Sequence, residues 1–193
     1  MAQTLVRAGN PIANCVTNPP DFQSLSYDKA YEAMTSDEAW RLKEVCPEYI
    51  TNLVNQIRSK KIPSDNMGPA IYLLGVLRTT NLTAIETLID IIDFKATKLE
   101  SKDSIRRWGE YPVVDAFWYI RKPAVEPLCS RLCVETNALR RELMCKSLLY
   151  IEAREPAIEP VISRVRRQFN SETDIARRKN LEASVNELEK LPH

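Results

Sequence analysis

The feature that most constrains the fold of this chain is an internal repeat in its second half. Residues 123–132 read PAVEPLCSRL and residues 156–165, thirty-three positions later, read PAIEPVISRV, with six of ten positions identical. The preceding segments also correspond, because FWYI at 117–120 and LLYI at 148–151 both end in Tyr-Ile shortly before the repeated decapeptide. A repeat of this length, in which each unit holds two helices, is typical of an α-solenoid.

An earlier segment follows the same ten-residue template. Residues 83–92 read TAIETLIDII and match its Ala, aliphatic, Glu and Leu positions. The apolar side chains in this segment recur at i, i+3, i+4 and i+7, which is one face of an α-helix: they are Ile85, Leu88, Ile89 and Ile92. A short polar link joins this helix to a predicted helix over 68–78, which predicts an antiparallel helical hairpin.

These residues resemble HEAT-like repeats of the kind also found in phycobilin lyases, whose second helices commonly open with Pro-Ala-aliphatic-x-Pro-aliphatic. The matching residues are Pro123, Ala124, Val125, Pro127 and Leu128, and then Pro156, Ala157, Ile158, Pro160 and Val161. Proline suits the first turn of a helix because the N–H groups there have no intrahelical partner. The resemblance covers about residues 36–169 and implies an all-α fold, a right-handed α-solenoid of about four HEAT-like or armadillo-type hairpins.

The rest of the chain is organised around these repeats. Residues 1–25 are predicted to be an extended tail, since prolines interrupt them and they show neither helical nor strand periodicity. Residues 26–193 are predicted to form one domain, with approximate repeats at 36–60, 67–95, 110–135 and 138–169. In the segment 171–191, Leu181, Val185 and Leu188 lie at i, i+4 and i+7, which predicts an amphipathic helix that caps the last repeat.

The composition of the chain argues against several kinds of binding, catalytic and metal site. The 27 Lys and Arg residues balance 26 Asp and Glu, so the net charge of +1 gives no overall attraction to nucleic acid or to an anionic membrane. The only histidine is His193, which removes most nucleophile–histidine schemes and histidine-rich metal sites. The sequence also lacks a glycine-rich phosphate loop, a CxxC pair and an HExxH motif. We therefore predict no catalytic residues, no metal and no cofactor.

Cysteine usage and hydropathy bear on location. The five cysteines are odd in number and lack the spacing of a secreted disulfide framework, which favours a reducing compartment. Residues 1–25 lack a signal-peptide pattern, and no apolar run approaches the roughly 18 residues that span a bilayer. We expect a cytoplasmic chain without a membrane segment, unless a signal peptide has already been removed.

Three cysteines have two interpretations. Cys129 and Cys133 lie at i and i+4, and Cys145 on the next helix could supply a third thiolate ligand. However, position 129 corresponds to Ile162 and Ile89 in the other copies of the template, so it is a core position. We favour buried structural cysteines, which are common in protein interiors.

Carboxylates and aromatic residues are the other candidates. Glu86, Asp90 and Asp93 share a helix face and could serve acid–base chemistry, but we favour a solvated face. Two stripes follow Pro112: a core stripe of Val113, Phe117 and Ile120, and a second of Tyr111, Asp115 and Trp118, which we expect to pack against the adjacent repeat. The best candidates for an interface hot spot are Arg106, Arg107 and Trp108.

The first function hypothesis is a non-catalytic binding scaffold or assembly factor for a protein or peptide. In a solenoid the second helices line a shared concave surface, where equivalent exposed positions stack into columns. The acidic column would be Glu86, Glu126 and Glu159, and the next column Asp90, Ser130 and Ser163. Acidic and hydroxyl side chains suit a polypeptide partner, especially a basic or helical one.

The alternative hypothesis is nucleic-acid binding, because some DNA glycosylases are built from HEAT-like repeats. Its residues would be a basic patch near the C-terminus: Arg164, Arg166, Arg167, Arg177, Arg178 and Lys179. The neutral net charge and the glutamate column argue against it. Chromophore attachment, as in lyases with these repeats, would follow from fold analogy alone and has no supporting residues.

Overall fold

A computed structural model describes residues 47–96, 110–155 and 157–191, together with Ser26 and Ala30. The described parts contain eight α-helices and no strand, so the all-α prediction is confirmed. The predicted tail at 1–25 and residues 36–46 of the predicted first repeat lie outside the described residues. No helix in the described ranges has both the length and the apolar content that a bilayer span requires.

The helices are numbered here in chain order. They are α1 (Pro47–Arg58), α2 (Ser64–Val76), α3 (Leu82–Asp90), α4 (Pro112–Ile120), α5 (Val125–Leu132), α6 (Ala138–Arg154), α7 (Val161–Ser171) and α8 (Ile175–Lys190), with a 3₁₀ turn at Lys122–Ala124. Three begin after a side-chain cap, because Asn81, Asn137 and Asp174 each accept a hydrogen bond from the backbone N–H three residues on. Such caps satisfy amides that have no partner within the helix.

The helix boundaries differ from the predicted ones by a few residues. α2 begins at Ser64 rather than residue 68, because Pro63 precedes it with an extended backbone. α3 ends at Asp90, and the apolar Ile91 and Ile92 continue in a turn. Apolar periodicity cannot distinguish such a turn from another helical turn when its side chains also reach the core.

The repeated prolines lie at two different places in their helices. Pro127 is in the first turn of α5, whereas Pro160 immediately precedes α7. α7 thus begins three positions later in the template than α5, at Val161 where the equivalent of Val125 would be Ile158. Both prolines still occupy helix starts, where a missing N–H costs little.

The helices pack in two rows. In one row α2 packs against α4, α4 against α6 and α6 against α8; in the other, α1 packs against α3 and α3 against α5. An ion pair between Glu126 and Arg164 joins α7 to α5. Helices that follow each other in sequence also contact across the rows, as α1 does with α2, α5 with α6 and α7 with α8. The apolar core therefore lies between the rows.

The core stripe of α4 and the apolar face of α8 are confirmed as buried. Val113, Phe117 and Ile120 are buried, as are Leu181 and Leu188 on α8, while Val185 is half-buried. These residues belong to one continuous cluster with the buried side chains of the other described helices. A fully buried side chain of this size stabilises the fold by about 1.5–3 kcal/mol.

Candidate interaction surface on helices α3, α5 and α7

The six side chains predicted to line a shared surface are all exposed. They are Glu86, Asp90, Glu126, Ser130, Glu159 and Ser163. The reason on α3 and α5 is the helical period, since the opposite faces carry the buried Leu88 and Leu128. Glu159 differs from the others because it precedes α7 rather than lying on it.

Two of the carboxylates are paired with arginines from the following helix of the same row. Arg131 on α5 donates to Asp90 on α3, with 2.6 Å between Nη2 and Oδ1. Arg164 on α7 donates to Glu126 on α5. Arg131 and Arg164 occupy the same position of the repeated template, so each reaches back to the preceding unit. We call these two ion pairs the arginine–carboxylate ladder.

Glu159, the third member of the predicted acidic column, is paired with an arginine of its own unit. Arg167 donates to Glu159, with 2.9 Å between Nη2 and Oε2, and this hydrogen bond lowers the pKa of the Glu159 carboxyl. Within the described residues Glu86 forms no ion pair or hydrogen bond. The surface on α3, α5 and α7 therefore offers charges of both signs, whereas the template positions alone predicted an acidic column.

Arg140 fixes the end of α3 to the start of α6. Its guanidinium donates to the carbonyl oxygens of Ile89 and Asp90, both at 3.0 Å, and to the carboxylate of Asp93 at 2.7 Å. It also donates to Glu135 at 2.9 Å, and its side chain is only 16% exposed. A guanidinium there satisfies carbonyl groups that the end of a helix leaves without partners. Asp90 and Asp93 are thus engaged by arginines.

The cysteines fit the core interpretation. Cys129 and Cys145 are buried and Cys133 is half-buried, and all three are free thiols. Burial raises the pKa of both Cys129 and Cys145 to about 12, so the thiols are protonated at neutral pH. In the described ranges no three His, Cys, Asp or Glu side chains are grouped so as to hold a metal ion.

The second stripe on α4 is half-buried and reaches α6 through Trp118. Tyr111, Asp115 and Trp118 are half-buried, and the guanidinium carbon of Arg154 lies 3.7 Å from the centre of the Trp118 ring. Oδ1 of Asp115 is buried without a hydrogen-bond partner among the described residues, and burial raises the pKa of this carboxyl to about 8. The hot-spot candidates Arg106, Arg107 and Trp108 lie outside the described residues.

The predicted nucleic-acid patch divides into two halves. On α7, Arg164, Arg166 and Arg167 are paired with Glu126, Glu189 and Glu159. On α8, the remaining three cations form no ion pair with any described carboxylate: Arg177, Arg178 and Lys179. Arg178 instead lies over the ring of Phe169, 4.9 Å from its centre. Half of the predicted patch is therefore neutralised by neighbouring carboxylates.

Comparison of the chain with protein-family models, with curated proteins and with solved structures yields no match.

Proposed function

We propose that this chain is a non-catalytic binding scaffold or assembly factor that holds a protein or peptide partner on the surface of α3, α5 and α7. The proposal includes the architecture, a right-handed α-solenoid of HEAT-like hairpins in which α8 is the capping helix. The two rows of packed helices support it, because each row repeats the same contact between neighbouring units. In such a solenoid α3, α5 and α7 line the concave side.

The observation that carries the proposal is the arginine–carboxylate ladder. Its acidic side chains remain well exposed, Asp90 at 50% and Glu126 at 64%, although each has an arginine partner. Exposed ion pairs of this kind contribute only about 0–1 kcal/mol each, so a ligand can replace either partner at little cost. A surface that offers exchangeable charges of both signs suits a polypeptide, whose side chains also carry both signs.

The same ladder disfavours a polyanion on this surface. A nucleic-acid backbone would approach the exposed carboxylates of Glu86, Glu126 and Glu159, and like charges brought together weaken binding. Three of the six arginine and lysine side chains in the predicted basic patch are already paired with carboxylates. Nucleic-acid binding is for these reasons the weaker candidate.

The test uses the purified chain as bait in a native lysate, at low and high salt, with a parallel nuclease arm. We expect a discrete protein that survives nuclease treatment. Once it is identified, its affinity is compared for the parent chain and for the double variant Glu126→Lys and Glu159→Lys. Loss of two ligand contacts is expected to weaken binding about tenfold or more.

The matched control reverses two exposed carboxylates on helices of the other row, Asp65→Lys on α2 and Glu182→Lys on α8. It changes the net charge by the same amount and should leave the affinity within about twofold. Equal losses in both double variants would mean that only overall charge matters, and the proposed placement of the site would be wrong. Recovery of nucleic acid that is lost at high salt would instead favour the basic patch.

A further inference from the structure

The start of α8 carries a compact group of exposed side chains, which we call the basic corner: Ile175, Arg177, Arg178 and Lys179. The carboxylates that immediately precede α8 accept hydrogen bonds from backbone N–H groups. Glu172 accepts from the N–H of Asp174 at 3.0 Å, and Asp174 accepts from the N–H of Arg177 at 2.9 Å. None of the three cations forms an ion pair within the described ranges.

One of these cations is placed unfavourably for the helix itself. The N-terminal end of an α-helix carries partial positive charge, so Arg177, in the first turn of α8, costs about 0.3–1 kcal/mol where an anion would be stabilising. Only the ring of Phe169 beneath Arg178 gives one of the three a favourable contact. The arginines of neighbouring α7, in contrast, are all paired with carboxylates. A local arrangement that costs stability without a visible structural gain is expected at a functional site.

Ile175 adds an apolar element to the same surface. It is 86% exposed, the largest exposed fraction among the large hydrophobic side chains of the described residues. Because i, i+3 and i+4 share a helix face, Ile175 lies on the same face as Arg178 and Lys179. An aliphatic side chain flanked by two cations therefore faces solvent.

We propose that the basic corner docks a short acidic segment of a partner polypeptide. The carboxylates of the segment would pair with Arg177, Arg178 and Lys179, and one of its apolar side chains would pack on Ile175. Five helical residues rise only about 7 Å, which matches two or three acidic residues. This surface is separate from that of α3, α5 and α7, so the inference does not depend on the function proposed there.

Charge complementarity distinguishes this occupant from other anionic partners. The carboxylates of Glu172, Asp174 and Glu182 flank the basic corner along the chain. A continuous polyanion such as nucleic acid, or an extended anionic membrane surface, would be brought up against these carboxylates. A short acidic segment can end before it reaches them, and its apolar residue accounts for the exposed isoleucine.

The experiment measures binding of a fluorescent peptide of about ten residues, made of Glu and Leu, to the full chain by anisotropy. An oligothymidine of equal charge and vesicles of phosphatidylserine and phosphatidylcholine are tested in parallel. Removing two of three cations in the double variant Arg178→Gln and Lys179→Gln should weaken peptide binding about tenfold. Ile175→Ser keeps every charge and should weaken it about fivefold or more, because the apolar contact is lost.

The matched control is the double variant Lys122→Gln and Lys190→Gln, which removes two exposed cations elsewhere and should keep peptide affinity within about twofold. The Arg178→Gln and Lys179→Gln variant should melt within about 4 °C of the parent, since the only contact it loses among the described residues is that of Arg178 with the Phe169 ring. A larger fall in melting temperature would assign these cations a structural role and overturn the proposal. So would no peptide binding up to about 1 mM, or tighter binding of the oligothymidine or the vesicles.

Discussion

Gly75 on α2 and Ala116 on α4 bring their two backbones into close approach. A Cβ atom on residue 75 would lie 2.5 Å from the Cα of Ala116 and 3.0 Å from its Cβ. The nearest obstruction is backbone rather than a flexible side chain, so it can move only if the helices separate. This glycine therefore sets the spacing between α2 and α4, the first contact of the row that continues through α6 to α8.

Gly75→Ala is expected to destabilise the fold by about 1–3 kcal/mol, because overpacking outweighs the better helix propensity of alanine. Urea unfolding measures the change. Adding Ala116→Gly should not restore stability, since the obstructing Cα remains. Asn52→Ala, at an exposed position of α1, serves as the control and should change stability by less than about 0.5 kcal/mol.

Arg140→Ala is expected to cost about 2–3 kcal/mol of unfolding free energy. The substitution leaves the carbonyl groups of Ile89 and Asp90 and the carboxylate of Glu135 without their common donor. Arg140→Lys should recover only part of the loss, because an ammonium cannot reproduce the planar fork. Arg131→Ala removes one exposed ion pair and should cost about 1 kcal/mol or less in the same urea titration. Similar losses for both arginines would contradict the role assigned to Arg140.

The Asp115 carboxyl should make the stability of the fold depend on pH. Burial raises its pKa in the folded chain to about 8, whereas in the unfolded chain it is about 4. Between these values the folded state binds the extra proton, so stability falls as pH rises from about 4 to 8 and levels off above. Thermal unfolding of the parent and of Asp115→Asn is measured at pH 5 and pH 8. From the lower to the higher pH, the free energy of unfolding should fall by about 1–3 kcal/mol more in the parent than in the variant. Parallel behaviour of the two proteins would exclude Asp115 as the cause.

Cysteine alkylation should follow burial. The thiolate is the reactive form, and with a pKa of about 12 Cys129 and Cys145 hold very little of it at pH 8. We expect iodoacetamide to modify both at least about 100-fold more slowly in the native chain than in urea. Half-buried Cys133 should react before them. Peptide mapping by mass spectrometry resolves the three sites, and early modification of Cys129 would show that α5 opens readily.

The helical class and the buried stripes were predictable from sequence because both follow from the 3.6-residue period. Val113, Phe117 and Ile120 recur with that period along α4 and are buried. Helix ends were less predictable, because turns such as the one through Ile92 also contribute apolar side chains to the core. Residue type alone does not separate a final helical turn from a loop that packs inward.

The contacts of the candidate surface were not predictable in the same way. Arg131 and Arg164 occupy identical template positions, yet one reaches Asp90 and the other Glu126, which lie at different positions of the preceding unit. The choice depends on how far each helix is offset from its neighbour, and α7 begins later than α5. The paired arginines in the repeat were a usable sign that these positions form bonds between units.

α6 packs against four of the other described helices. It packs against α4, α5, α7 and α8, and Arg140 near its first turn bonds to the end of α3. A protease that cut the turn between α5 and α6 would therefore release neither half, because the two fragments would remain joined through the faces of one helix. The same fragments, expressed separately, should recognise each other and reconstitute the fold, so this turn is the natural point at which to split the chain into a complementing pair.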